Sequence, residues 1–316
     1  MNQTKLTSFI LILATSLLAL IIFIFPMPLN KKNISKVNNG NVFKQIQKAV
    51  KRETSIMFVG DIMLGRSVMK KTINEGDSYY PFKKTSEFLN NADITFANLE
   101  NPIVKNCPET IGGFKFCTNY ETAKGLNFAG IDIVSLANNH SENYGLEGLA
   151  ETKKFLGDND ISYVGDSNFI IKEINGTKFG FLGFDYTLKN DLDNDLKLIK
   201  DSKEKVDVLI VGVHWGDEYK DKANNLQRTI AKKMIEAGTD VIIGGHPHWV
   251  EDYEEINGKP VYYSLGNFIF DQMWSEETKK GLIVKMTFDG TSLIKREEFK
   301  TYINSIGQPE IVFNKN

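Results

Sequence analysis

Two of the chain's four histidines stand two positions apart in "VIIGGHPHWV", residues 241–250, directly behind a run too apolar for a surface loop. The other two follow runs of the same kind, His140 in "SLANNH" and His214 in "VGVHWG". Carboxylates occupy matching places, Asp61 in "VGDIMLGR" and Glu100 in "ANLE". Neutral imidazole is a common ligand of divalent metals, and carboxylates add the negative charge that holds such an ion. In an extended backbone the side chains of residues i and i+2 share a side, so Pro247 is expected to keep its segment extended and let His246 and His248 face one point. With Asp61 and Glu100 as oxygen ligands the set is mixed nitrogen and oxygen, which suits Mn, Fe or Zn better than Ca or Mg. Six or seven ligands exceed the needs of one tetrahedral ion, so two ions sharing a bridging carboxylate are expected.

These residues need elements to carry them to one place. The runs "SIMFV", "DITFA", "IDIVSLA", "VDVLIVGV", "DVII" and "VYYSL" are short, apolar and rich in β-branched residues, as strands buried on both faces are. Each is followed by one of the polar signatures. Between them "TNYETAKGLNFAG" opens with a capping box from Thr118 to Glu121 and stops at Gly130. "LEGLAETKKFLG" ends at Gly157, and "ANNLQRTIAKKMIEAGTD" repeats Leu226, Ile230 and Met234 before Gly238. Alternating strands and helices predict a largely parallel α/β sheet, and Asn-Gly turns in "EINGTKFG" and "EEINGKPVYYSL" add hairpins that make it mixed. Ligands of open α/β sheets gather beyond the carboxyl ends of the strands. Asp61, Glu100, Asn139, His140, His214, His246 and His248 are thus expected on one rim, brought there from separate strands.

The 316 residues, 41% hydrophobic and 25% charged, are those of a globular protein. The first thirty differ. From Leu6 to Asn30 no residue is charged, enough to span a bilayer core, which needs about 20 apolar residues. "PMPLNKK" follows instead of a small-x-small cleavage site, which favours an uncleaved membrane anchor over a signal peptide, and no Cys lies near for a lipoprotein anchor. Long domains translocate largely regardless of flanking charge, so the remainder is expected outside the cytoplasm. Residues 31–53 hold six Lys, one Arg and one Glu, and are expected to form a basic polar linker, a solvated stalk or a contact to anionic lipid or polymer. Removing that +6 and Lys5 from the overall −2 leaves −9 on residues 54–316, the expected single domain, which disfavours nucleic acid as a partner. Cys107 and Cys117 share one Pro- and Gly-bearing loop, the pattern of a small disulfide-closed loop. The C-terminal segment shows only a possible strand at "EIVF".

The order "GDIMLGR", "ANLE", "SLANNH", "HWG", "GGHPH", "YSLGNFIFD" resembles the CapA-type poly-γ-glutamate capsule biosynthesis proteins, which are similar to calcineurin-like metallophosphoesterases. The resemblance covers residues 54–288. It implies a four-layer α/β/β/α sandwich with mixed sheets, an N-terminal transmembrane helix, and a role in synthesis or export of an anionic cell-surface polymer. It also implies metal ligation by Asp61, by Glu100 as bridging carboxylate, and by Asn139, His214, His246 and His248. His140 resembles the histidine that contacts phosphate and protonates or stabilises the leaving oxygen. The phosphoesterases have Asp-x-His at the first motif; here Ile62 and Met63 follow Asp61, so one ligand of the first metal position is missing. Arg66 is a candidate to receive an anionic substrate group, or else an exposed basic side chain. Asn267 either lines the rim or caps its turn. Trp215 and Trp249 are expected first to pack against the walls of the site. Three functions remain open: a capsule factor acting with other membrane subunits of a polymer synthase, a metal-dependent hydrolase of phosphoesters, and a polymer-binding scaffold with a structural metal.

Overall fold

A computed structural model describes residues 53–188 and 191–313. The expected anchor over residues 1–30 and nearly all of the linker after it lie outside them. Among the described residues no helix is long and apolar enough to cross a membrane.

Alternation along the strands sorts the apolar residues into three clusters. In β1 (Thr54–Ile62), Ile56 and Phe58 face one way while Met57 and Val59 face the other, all at most 2% exposed. In β7 (Val208–His214), Val208 and Ile210 join the cluster of Ile56 and Phe58, while Leu209, Val211 and Val213 turn away from it. Continuous apolar runs are the result, because each strand buries both its faces.

β1 belongs to an eight-stranded sheet. It pairs in parallel with β2 (Ile94–Leu99), which leads to β3 (Ile133–Ser135) and β4 (Ser162–Val164). On its other side it pairs antiparallel with β12 (Lys280–Asp289), then β13 (Ser292–Ser305) and β14 (Gln308–Ile311), and β11 (Asn267–Ile269) pairs with its end. β7 belongs to a six-stranded sheet in the order β5 (Ile170–Ile174), β6 (Thr177–Asp185), β7, β8 (Val241–Gly245), β10 (Lys259–Tyr262), β9 (Tyr253–Ile256). The inner cluster joins the two sheets: Phe96 of one stacks on Phe181 of the other with ring centroids 6.1 Å apart. A Cβ on Gly212 would lie 2.7 Å from the Phe96 ring, so that glycine makes room for it.

The outer clusters take the helices. α1 (Arg66–Glu75), α3 (Tyr120–Phe128) and α4 (Gly145–Asp158) supply Val68, Leu126 and Phe155 to the first sheet; the single turn α2 (Ser86–Leu89) adds Leu89. α5 (Leu192–Lys203) and α6 (Asn225–Ala237) supply Ile199, Ile230 and Met234 to the second. Mixed α/β sheets are therefore present as expected, and both Asn-Gly hairpins form, with Asn175 (φ 53°) and Asn257 (φ 52°) in the left-handed conformation their turns require.

Local details differ from the sequence expectation. The cap of α3 is Asn119, whose side chain accepts from the Thr122 N–H at 2.8 Å, not Thr118. The capping box lies on α6, between Asn224 and Gln227. Leu226 is 63% exposed, because the buried stripe of α6 runs through Gln227, Ala231 and Ile235 as well as Ile230 and Met234. β13, the longest strand, carries no apolar alternation in "SLIKREEFKTYINS"; most of its residues are exposed, so burial wrote no period into it. Cys107 and Cys117 are joined as expected.

One close approach pins the end of β1 against the residue that precedes β11. A Cβ on Gly60 would stand 2.0 Å from the Gly266 carbonyl oxygen, which accepts from the Asp61 N–H at 2.9 Å. The obstacle is backbone, so it cannot swing aside. Gly60→Ala should therefore cost about 1–3 kcal/mol or more. In a thermal melt this is a drop of several degrees for a domain this size, whereas Gly112→Ala, with nothing within 4 Å, should leave the midpoint nearly unchanged.

Candidate metal centre

Side chains from both sheets meet at the carboxyl ends of their strands. Asp61, one residue before the end of β1, is fully buried; β2 carries Asn98 near its end and leads into Glu100, which is fully buried; β7 ends on His214, and the loop after β8 carries His246 and His248. The ladder sets Asp61 beside Asn98 on one side and Asn267 on the other. Gly245 faces Asp61 from the second sheet: a Cβ there would lie 2.4 Å from Asp61 Oδ1.

The Asn98 amide is the hub. Its Nδ2 lies 2.8 Å from Asp61 Oδ1, 3.1 Å from Glu100 Oε1 and 3.0 Å from His214 Nδ1. Asn138 Nδ2 donates to Asn98 Oδ1 at 3.1 Å and so fixes which end of the amide faces the carboxylates. Two N–H groups cannot satisfy three acceptors. His214 Nε2 faces Asn139 Oδ1 at 3.1 Å, which puts the ring proton on Nε2 and leaves Nδ1 to accept from Asn98 Nδ2, with Glu100 Oε1 3.8 Å away. Glu100 Oε2 is buried without any hydrogen-bond partner.

Such a group is starved of positive charge. Ligating atoms of Asp61, Glu100 and His248 all lie within 4.8 Å of one another. Burial, then the charge of Asp61, pushes the Glu100 carboxyl well above its usual range. Burial would raise Asp61 too, but the hydrogen bond and charge of His248, with His214 and Asn98, outweigh it and hold that carboxyl below the usual range. Burial lowers His214 well below its ordinary value and lowers His246 as well, so both rings are neutral and available as ligands at pH 7.

The His246–Pro247–His248 segment is not extended. His246 has φ 96° and His248 φ 60°, left-handed values that are strained for any residue but glycine. The rings still converge, with centroids 6.1 Å apart, and His246 lies 4.7 Å from His214. The sharp turn replaces the strand alternation because the His246 N–H reaches back to Asp61 Oδ2 at 3.1 Å. Asn267 neither lines an open rim nor caps a turn: it is fully buried, and its Oδ1 lies 3.0 Å from His248 Nδ1. Since its Nδ2 donates to Gln272 and to the Thr278 carbonyl, Oδ1 must accept, which places the His248 proton on Nδ1 and frees Nε2 for a ligand.

Arg66 is half-buried, and two of its three guanidinium nitrogens are committed while Nε has no partner. Its Nη2 pairs with Asp271 Oδ1 at 2.6 Å, Nη1 donates to the Gly113 carbonyl, and the guanidinium lies 4.7 Å over the Phe116 ring. Phe116, beside the disulfide, also packs on His140 at 4.6 Å. Burial brings His140 down to about 4, so it is neutral at pH 7; with Nδ1 facing Asn143 Nδ2 at 3.3 Å, its proton sits on Nε2. Met63, standing where the phosphoesterase motif has histidine, is buried and accepts from the Gly65 N–H through sulfur. Trp215 is buried and donates to the Tyr263 carbonyl at 2.8 Å, a packing role as expected; Trp249 is half-buried, 6.5 Å from Tyr219.

Sequence reasoning did not single out Asn98, Asn138, Tyr219 or Glu251. Asn98 had a usable signal, since it stands two positions before Glu100 and so shares its side of an extended strand. Glu251 had none: only the fold packs it against Gln227, which also occupies the space beside Gly216, the glycine two positions after His214.

Residues 55–272 match the family described as bacterial capsule synthesis protein PGA_cap. Over 271 residues the chain is 32% identical to the capsule biosynthesis protein CapA of Bacillus anthracis, covering 76% of this chain and 66% of that one. Over 254 residues it is 32% identical to the PGA biosynthesis protein CapA of Bacillus subtilis, covering 72% and 66%. The chain thus spans just under two thirds of the length of these relatives. The crystal structure of a phosphatase from Mycoplasma pneumoniae superposes with a TM-score of 0.51 over 79% of this chain and 94% of that one, at 14% identity, so the fold is what they share.

The buried Glu251 carboxyl has one oxygen accepting from Gln227 at 2.8 Å and one with no partner, and burial pushes it up to about 7. A folded pKa above the unfolded one means the folded state holds the proton longer, so this group's contribution is intact below about 4.5 and is lost as pH rises to about 7. Glu251→Gln should therefore melt at a higher temperature than the parent at pH 8, and the gap should close at pH 4.5.

Proposed function

The chain belongs to the PGA_cap family of bacterial capsule synthesis proteins, and on that premise we propose that it serves the synthesis or export of a poly-γ-glutamate surface polymer through a divalent-metal site. The proposal includes a single-pass anchor over residues 1–30, a basic linker over 31–53, and an extracytoplasmic domain from residue 54 that we read as a four-layer α/β/β/α sandwich. It acts there on an anionic surface polymer or a phosphoester, alongside other membrane subunits and not on nucleic acid. The observation that supports the metal is the buried pair of carboxylates at Asp61 and Glu100, one oxygen of which has no partner, with His214 Nδ1 3.8 Å from Glu100 Oε1 and His248 Nδ1 3.5 Å from Asp61 Oδ2. A divalent cation satisfies that set; burying two carboxylates without one is costly.

In this reading Asp61, Glu100 and His248 hold one ion, and His214 and His246, with Glu100 as the bridging carboxylate, help to hold a second, Mn, Fe or Zn by the donor types; Asn139, expected as a ligand, accepts from His214 Nε2 instead and orients that ring. Bound ions supply Lewis acidity toward an anionic oxygen. The chain's own residues do the rest. Asn98 orients both carboxylates, and Asn267 fixes the ring of His248. His140, neutral and with its proton on Nε2, is set to donate a hydrogen bond to an oxyanion. Arg66 ties the start of α1 to Asp271 and to the disulfide loop, and so positions Phe116 behind His140.

Full-length protein dialysed against Mn2+ should retain two ions per chain by elemental analysis, and Glu100→Gln should bind at least tenfold more weakly; a parent protein with no bound metal would remove this reading. Deletion of the coding sequence in its host should abolish surface polyglutamate, and the Glu100→Gln allele should fail to restore it. Full restoration by that allele would favour the scaffold over the metal-dependent reading. Release of phosphate from phosphomonoesters or phosphodiesters, lost more steeply than metal content in His140→Ala, would mark hydrolysis.

A further inference from the structure

The space around the centre is unevenly charged. On one flank a cavity of about 370 Å³ begins at Asn138 and Asn139 and is lined by Glu142, Asp166, Asp185, Asp191 and Asp195; among the described residues no Lys or Arg lines it, and Lys153 pairs with Asp166 at 2.7 Å. On the other flank the Arg66 guanidinium pairs with Asp271 at 2.6 Å. That second flank holds Tyr219, whose ring lies 6.0 Å from His248 and is held there with φ 61°. Trp274 meets Tyr219 edge-on at 4.8 Å and is itself 62% exposed, so a large aromatic face stands open beside the centre. Glu218, the exposed carboxylate next to Tyr219 in the chain, is near enough to act electrostatically on Tyr219, Glu100 and His246, while the Tyr219 hydroxyl accepts from Gln272 Nε2 at 3.2 Å. The domain as a whole carries −9.

An open aromatic face beside a carboxylate attracts a cation and repels an anion. We propose that Trp274, Tyr219 and Glu218 form a subsite for an ammonium group, so that the centre takes a ligand carrying an anionic group for the metal and a free amine beside it. The inference rests on the metal reading above and sharpens its substrate: a γ-linked glutamyl chain bears carboxylates along its length and an ammonium at one end, and only that end matches this rim. The site then reads the amino terminus of the polymer, not its body.

The test is calorimetric titration of the full-length, Mn2+-loaded protein in detergent with γ-glutamylglutamate and with its N-acetyl derivative. Removing the charge should weaken binding about tenfold, the combined size of an exposed cation–π contact and an exposed ion pair. Trp274→Ala and Glu218→Gln should each shrink that ratio toward one, with Trp274→Ala leaving Mn2+ affinity unchanged. Equal binding of the two dipeptides, no binding of either, or a ratio untouched by both substitutions would overturn the inference while Mn2+ uptake leaves the metal reading standing. Failure to take up Mn2+ would overturn that reading and the inference with it.

Discussion

The structure turns on two carboxylates buried side by side. Asp61 and Glu100 share one amide, that of Asn98, which cannot satisfy them and His214 together. In a low-dielectric interior, like charges this close cannot both persist without a cation or a proton. Their opposite displacements, Asp61 held down and Glu100 pushed up, are the protein's own response to that conflict. The neutral rings of His214 and His246 beside them add ligands without adding positive charge.

Holding such a group together requires backbone in uncomfortable places. Arg66, Tyr219, His246 and His248 all have left-handed φ values, and all lie at the same end of the sheets. Strain of this kind costs on the order of 1–3 kcal/mol per residue and persists only where surrounding contacts over-determine the conformation. Here they do. The Tyr219 N–H is bonded to the Pro247 carbonyl, the His246 N–H to Asp61, and the His248 ring to Asn267, so the strained loops brace one another across both sheets.

The three apolar clusters explain why the bracing holds. Strands buried on both faces leave the sheets little freedom to slide, and glycines at 212 and 245 let them approach where a Cβ would collide. Rigid ends then present a fixed set of donors, flanked by an acidic cavity and an aromatic face. The charge pattern around the centre, and not its ligands alone, sets what can reach it.

Much of this was written in local sequence. Strands buried on both faces leave apolar runs, Asn-Gly leaves a hairpin, and polar residues directly after such runs fall at strand ends, so Asp61, Glu100, Asn139, His140, His214, His246 and His248 could be assigned to one rim, where the fold does collect them. What local pattern cannot encode is which strands become neighbours and how a loop turns back. Asn98 became the hub because β1 lies beside β2 with Asp61 opposite it. Arg66 lost its freedom to Asp271, 205 positions away. The left-handed turn through His246 and His248 follows from the reach of one N–H to a carboxylate on the other sheet. Periodicity records burial of a residue's own side chain; partners drawn from distant segments leave no period, and only the packed structure decides them.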